Sequence, residues 1–243
     1  MVSVRILTSL FLLLLSLDAW AQATTPLLTA EQRGDILMAR KMYREAIDVY
    51  REGPLDSSWV IWNKLGIAHH QMTQIDEARK YYERAIKLNP KYAEAINNLG
   101  TVHYAKKNYR RAVSQYQRAL KLPPNSASVY SNLGTAQFAR KKYKEALECY
   151  QKAISLDPEV FEHRSAYGTL LQERSVGERA RFHYYLAKTY AQAGNGERAL
   201  QYIRMALEEG FKERDKLMED PEFAKLRETA EFKELMATEP RVL

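Results

Sequence analysis

Residues 97–112 read NNLGTVHYAKKNYRRA, and residues 131–146 read SNLGTAQFARKKYKEA. The second stretch starts 34 residues after the first, and eight of the sixteen positions are identical, among them Asn98/Asn132, Leu99/Leu133, Gly100/Gly134 and Tyr109/Tyr143. Self-similarity at a fixed period of this size marks a repeat architecture. Each unit of such an array is one supersecondary motif that cannot bury its apolar face alone.

Working outward, the same landmarks recur on both sides. Trp62, Leu65, Gly66, His69, Ala78, Tyr82, Ala85 and Pro90 describe one unit. Ile96, Leu99, Gly100, His103, Ala112, Tyr116, Ala119 and Pro124 describe the next, and Tyr130, Leu133, Gly134, Gln137, Ala146, Tyr150, Ala153 and Pro158 a third. An earlier copy carries Gly34, Leu37, Ala46 and Tyr50; its step to the next unit is 32 residues and shortens near Gly53-Pro54-Leu55. Apolar residues three and four apart give each half-unit one buried helical stripe. Gly100 and Ala112 are small where two antiparallel helices approach, and their spacing puts a tight turn at Lys106–Asn108. Proline ends the second helix of a unit. Thr29 to Gln32 has capping-box spacing, and Asn125 or Ser126 is placed to cap the helix that runs to Ala139.

These residues resemble the tetratricopeptide repeat family, with four units over residues 27–160. The departures are His69, His103 and Gln137, where the family usually has tyrosine. The resemblance implies an all-α fold, a right-handed α-α superhelix with capping C-terminal helices. Residues 161–210 read as a degenerate helical region, with helices expected near 161–172, 178–192 and 196–209 and a break at 174–177. Residues 211–243 read as a capping tail with Phe223, Leu226, Phe232 and Leu235 as its apolar contacts; stacked arrays need such a cover.

The N-terminus predicts a compartment. Arg5 precedes twelve uncharged residues, Ile6 to Leu17, and Ala19-Trp20-Ala21 has the A-x-A form of a signal-peptidase site. Asp18 stops the run short of the ~20 apolar residues that cross a bilayer. Residues 1–21 are therefore read as a cleavable bacterial-type signal peptide, and the mature protein is expected to be periplasmic or secreted. The single cysteine, Cys149, excludes an intramolecular disulfide and reads as a small packing residue.

Charge is uneven. Residues 22–159 hold 22 basic and 14 acidic residues, whereas residues 160–243 hold 14 and 15. Between Glu94 and Glu145 there are ten lysines and arginines and no acid. Arg40, Lys41, Lys106, Lys107, Arg140, Lys141 and Lys142 fall at the turns between helices, so they are expected to form a basic edge that attracts anions.

In the family, the first helices of the units line a concave groove. The resemblance places Asn63, Ile67 and His70 there, then Asn97, Thr101 and Tyr104, then Ser131, Thr135 and Phe138, with Asn98 and Asn132 one position over. Carboxamides and hydroxyls suit an extended peptide, whose backbone needs both donors and acceptors. The carboxylate clamp of some family members is not supported, because only Asn98 fits it. His69 and His103 occupy equivalent positions, but no carboxylate or thiol completes a metal shell. No phosphate loop, nucleophile elbow or H-E-x-x-H motif is present.

The reading is a non-catalytic scaffold or adaptor, exported to the cell envelope, that binds a protein or peptide segment in its groove without a cofactor. The alternative is an electrostatic docking module for anionic envelope surfaces, such as lipid, phosphorylated glycan or an acidic protein, through the basic edge. Nucleic acid is not an expected partner.

Overall fold

The structure is a computed structural model that describes residues 28–122, 125–161 and 176–237. The signal-peptide reading, Pro124 and nearly all of the helix expected at 161–172 lie outside the described residues. The described residues form helices and no strands. The chain divides into two compact units, one ending at Gly53 and the other starting at Pro54. This is the place where the repeat step shortens.

The first unit holds α1 (Ala30–Ala39) and α2 (Tyr43–Arg51). Thr29 starts α1 with the capping box its spacing predicts: its hydroxyl accepts from the Gln32 amide at 3.2 Å, and Gln32 Oε1 accepts from the Thr29 amide at 3.0 Å. The ring of Tyr50 packs where Gly34 has no side chain, and its hydroxyl donates to Asp35 at 2.7 Å.

The second unit stacks four hairpins. They are α3 (Trp59–Gln71) with α4 (Ile75–Leu88), α5 (Ala93–Ala105) with α6 (Tyr109–Leu120), α7 (Ala127–Ala139) with α8 (Tyr143–Leu156), and α9 (Val176–Gln192) with α10 (Gly196–Glu208). Each second helix packs on the first helix of the next hairpin, and the first helices α3, α5 and α7 also touch in succession. Ser58 and Ser126 cap α3 and α7, and Asn195 caps α10, each side chain accepting an amide from three residues on.

The hairpin turns share one geometry. In α5–α6 the Lys107 amide donates to the Tyr104 carbonyl and the Asn108 amide to the His103 carbonyl, each at 2.8 Å. This is a Schellman stop, and it needs a left-handed residue. Lys41, Thr73, Lys107 and Lys141 fill that place with φ of 60–62°, and Gly194 fills it between α9 and α10.

The core is a column of glycine–tyrosine pairs. A methyl group on Gly66, Gly100 or Gly134 would lie 2.5 Å from a ring carbon of Tyr82, Tyr116 or Tyr150. The glycine where the two helices approach meets the Tyr116 ring, and at the equivalent Gly134 the Ala146 carbonyl also lies 3.2 Å from such a methyl. A ring is a larger apolar surface than a methyl, and only a bare backbone leaves room for it. Val160 and the aromatic residues of α9 continue the core toward the tail.

Helix α9 includes Val176 and Gly177, two residues of the break expected at 174–177, and the other two lie outside the described residues. The tail consists of α11 (Asp215–Glu219), two 3-10 turns at Pro221–Phe223 and Leu226–Glu228, and α12 (Ala230–Ala237). Phe223, Leu226 and Phe232 are buried and Leu235 is half-buried, as the sequence predicts for a cap. Lys188 binds both Asp220 at 3.1 Å and Glu222 at 3.2 Å, and the Tyr184 hydroxyl donates to Asp220. The described fold class is the all-α repeat solenoid expected from the sequence.

Candidate functional site

Successive first helices of the second unit are joined by side-chain amides. Asn98 Nδ2 donates to Asn63 Oδ1 at 3.0 Å, and Asn132 Nδ2 donates to Asn97 Oδ1 at 3.1 Å. Asn63 Nδ2 in turn donates to Glu94 Oε1 at 2.9 Å, and the Tyr92 hydroxyl donates to Glu94 Oε2 at the same distance. Burial pushes the Glu94 carboxyl above its usual range, and the Tyr92 and Asn63 hydrogen bonds oppose that shift. The spacing across each asparagine bond is 35 residues, so every bond pairs one repeat position with its neighbour one step over.

Nine of the groove candidates are buried here: Asn63, Asn97, Asn98, Thr101, Tyr104, Ser131, Asn132, Thr135 and Phe138. Their polar atoms are mostly engaged. The Thr101 hydroxyl donates to the Asn98 carbonyl at 2.7 Å, Thr135 to the Ser131 carbonyl at 2.9 Å, and Ser131 to the Ser128 carbonyl at 3.0 Å. Phe138 stands edge-on to Tyr143, Phe182 and Tyr185, and the Tyr104 ring lies 5.2 Å from that of Tyr109. Both aromatics therefore pack within the stack. Ile67 and His70 are half-buried and are the open part of this face. Asn132 Oδ1 is buried and lacks a hydrogen-bond partner among the described residues. Sequence reasoning missed Tyr92 and Glu94, since only the helix register reveals that they reach Asn63.

The basic turns are less uniform than a stripe. Lys106 forms an ion pair with Asp76 on α4, Lys142 lies 3.8 Å from Glu145, and Arg140 donates to Gln137 at 2.9 Å. Lys107, Arg140 and Lys142 share a cleft of about 590 Å³ with Asn108, Tyr109, Arg110 and Arg111, whereas Lys141 is exposed outside it. Arg110 and Arg111 were not singled out from the sequence. Their signal was the acid-free run between Glu94 and Glu145, in which both lie. Arg40 and Lys41 belong to the first unit, where Lys41 is the left-handed turn residue.

Other chemistry-bearing residues have packing roles. His69 shares a 2.6 Å hydrogen bond with Gln74, and its ring stacks 4.8 Å from Tyr81. Among the described residues, no three His, Cys, Asp or Glu side chains come together as a metal site. Cys149 is half-buried, and burial, with Glu148 and Glu145 nearby, pushes its thiol up to about 12. It is thus almost wholly protonated and a poor nucleophile at neutral pH.

Models of the tetratricopeptide repeat match residues 58–125, 127–160 and 164–211, together more than half of the chain. The chain belongs to the tetratricopeptide repeat family. Repeats of this family are protein-interaction scaffolds, which is the coarse function of this chain. One relative, the photosystem I assembly protein Ycf3 of Rippkaea orientalis, is 32% identical over 71 residues, 29% of this chain and 40% of that protein. The chain thus matches about two fifths of the relative's length. Among solved structures, MamA of AMB-1 aligns with a TM-score of 0.51 at 20% identity, covering 75% of this chain and 98% of that one. MamA residues 41-end of Desulfovibrio magneticus RS-1 align with a TM-score of 0.50 at 19% identity, covering 74% and 92%. At these identities the likeness is one of tetratricopeptide fold alone.

Proposed function

We propose that this tetratricopeptide protein is an exported, non-catalytic adaptor that holds an extended segment of a partner protein along the first helices of its second unit. The observation that carries the reading is the chain of asparagine bonds that holds α3, α5 and α7 side by side as one face. These amides are buried and spent on one another, so they set the spacing of the first helices, and the partner would meet the surface those helices leave open. Ile67 and His70 form the accessible part of the same face. Export rests on the signal-like residues 1–21. N-terminal sequencing of exported protein should begin at Gln22; retention of the leader inside the cell would remove the envelope from this reading.

The test of the groove is a photoreactive residue at Ile67 or His70, with Gln117 on the outer helix α6 as the comparison. In intact cells the first two positions should trap one discrete protein and the third should not. Equal labelling from all three would refute the groove.

A second reading has its own observation. The basic cleft between the α5–α6 and α7–α8 turns supports docking to anionic partners. Such docking should collapse as salt is raised, because open charges are screened. Groove binding should persist under the same change.

A further inference from the structure

The second helices of the hairpins differ at one end. Helices α2, α4, α8 and α10 carry acids in their first turns: Glu45, Asp76 with Glu77, Glu145, and Glu197. Acids there suit the positive end of the helix dipole. Helix α6 has no acid in its first turn: Arg111 stands where α2 and α8 have Glu45 and Glu145, beside Arg110, whose place is basic in those helices too (Arg44, Lys144). A cation at that helix end is unfavourable to the dipole, so Arg111 in the acid's place does not serve helix stability.

Independently of that helix end, the cleft gathers charge from two successive hairpins. Lys107, Arg110 and Arg111 come from one, Arg140 and Lys142 from the next, and no carboxylate lines the space between them. Lys107, Arg110 and Arg111 are exposed and form no ion pair among the described residues. Five cations line one opening of about 590 Å³, of which Lys142 has Glu145 3.8 Å away, and together they give it a net positive field.

We propose that this cleft is a binding site for a phosphate-type polyanion, a phosphomonoester or pyrophosphate group. The inference deepens the docking reading above and takes from it only the sign of the partner's charge. A carboxylate brings one charge. A phosphomonoester brings about two, with three strong acceptor oxygens. Three guanidinium forks match such oxygens in pairs, and the two lysines add point charge. The group belongs either to a small soluble molecule or to a lipid headgroup.

The experiment is calorimetric titration of the full chain with inorganic pyrophosphate at low ionic strength, beside flotation with phosphatidic acid vesicles, whose headgroup is a phosphomonoester. Saturable pyrophosphate binding is expected. It should weaken at least tenfold in Arg110→Gln/Arg111→Gln and in Arg140→Gln/Lys142→Gln, and stay unchanged in Arg40→Gln/Lys41→Gln. Either cleft variant suffices if the other fails to fold. Vesicle binding lost in the same variants assigns the group to a lipid, and pyrophosphate binding without vesicle binding assigns it to a soluble ligand. Absence of pyrophosphate binding, or equal weakening in cleft and control variants, overturns the site. If vesicles still bind the wild-type chain in that case, the wider docking reading survives alone; if they do not, both fall.

Discussion

Gly100 is held at its position by the ring of Tyr116, not by backbone freedom. A methyl group there would meet ring carbon Cε1 at 2.5 Å, and the fully buried ring has nowhere to retreat. Overpacking of this kind costs about 1–3 kcal/mol, so Gly100→Ala should lower the urea midpoint by a corresponding amount. The tyrosine hydroxyls are not equivalent. That of Tyr50 donates to Asp35, while that of Tyr116 is buried without a partner among the described residues. Tyr50→Phe should therefore destabilise by about 1.5–3 kcal/mol, and Tyr116→Phe should be neutral or slightly stabilising. Urea unfolding of the two variants decides the matter; equal losses would contradict the assignment. Thr73 and Lys141 carry the left-handed turns at a steric cost that glycine avoids. Thr73→Gly should raise stability by about 1 kcal/mol, since a β-branched residue is poorly suited to positive φ.

At the scale of elements, the hairpins were legible because each needs only local signals. The recurrence of glycine, alanine and tyrosine landmarks predicts two helices per unit and a turn near Lys106–Asn108. The observed helices Ala93–Ala105 and Tyr109–Leu120 flank that turn. The tail was legible for the same reason, since Phe223, Leu226 and Phe232 stand out as apolar positions in a charged stretch. The asparagine bonds were not. Nothing in the sequence distinguishes Asn98 paired with Asn63 from Asn98 facing solvent, because the pairing depends on how one helix slides past its neighbour. The basic cleft was half legible: the acid-free run pointed to it, but only the fold separates Arg110 and Arg111, which line it, from Lys141, which does not. If the amide bonds between α3 and α5 hold the hairpins together, Asn63→Ala and Asn98→Ala should be non-additive. Their coupling should reach about 0.5–1.5 kcal/mol in a double-mutant cycle read by urea unfolding, and a coupling of zero would show the bond to be incidental.

For the molecule as a whole, three histidines of the second unit set a pH dependence. His70 is held below the ordinary histidine value by burial. His103 is held below it by burial first, then by Arg111, Arg79 and Lys106 against the pull of Glu83. His183 lies 2.7 Å from Glu209, which raises its value, but burial outweighs that carboxylate and Arg179 adds to the lowering. Each group has a lower proton affinity in the folded chain than in the unfolded one. Protons are therefore taken up on unfolding at pH values below the ordinary histidine pKa of about 6.5, and stability falls as pH drops through that point toward the folded values. Glu94 works in the opposite sense, because its raised carboxyl binds protons more readily when folded. Urea midpoints should be level between pH 8 and 7 and decline from pH 6.5 to 5.5. Replacing His70, His103 and His183 by glutamine together should flatten that decline, and an unchanged slope in the triple variant would place its origin in other groups.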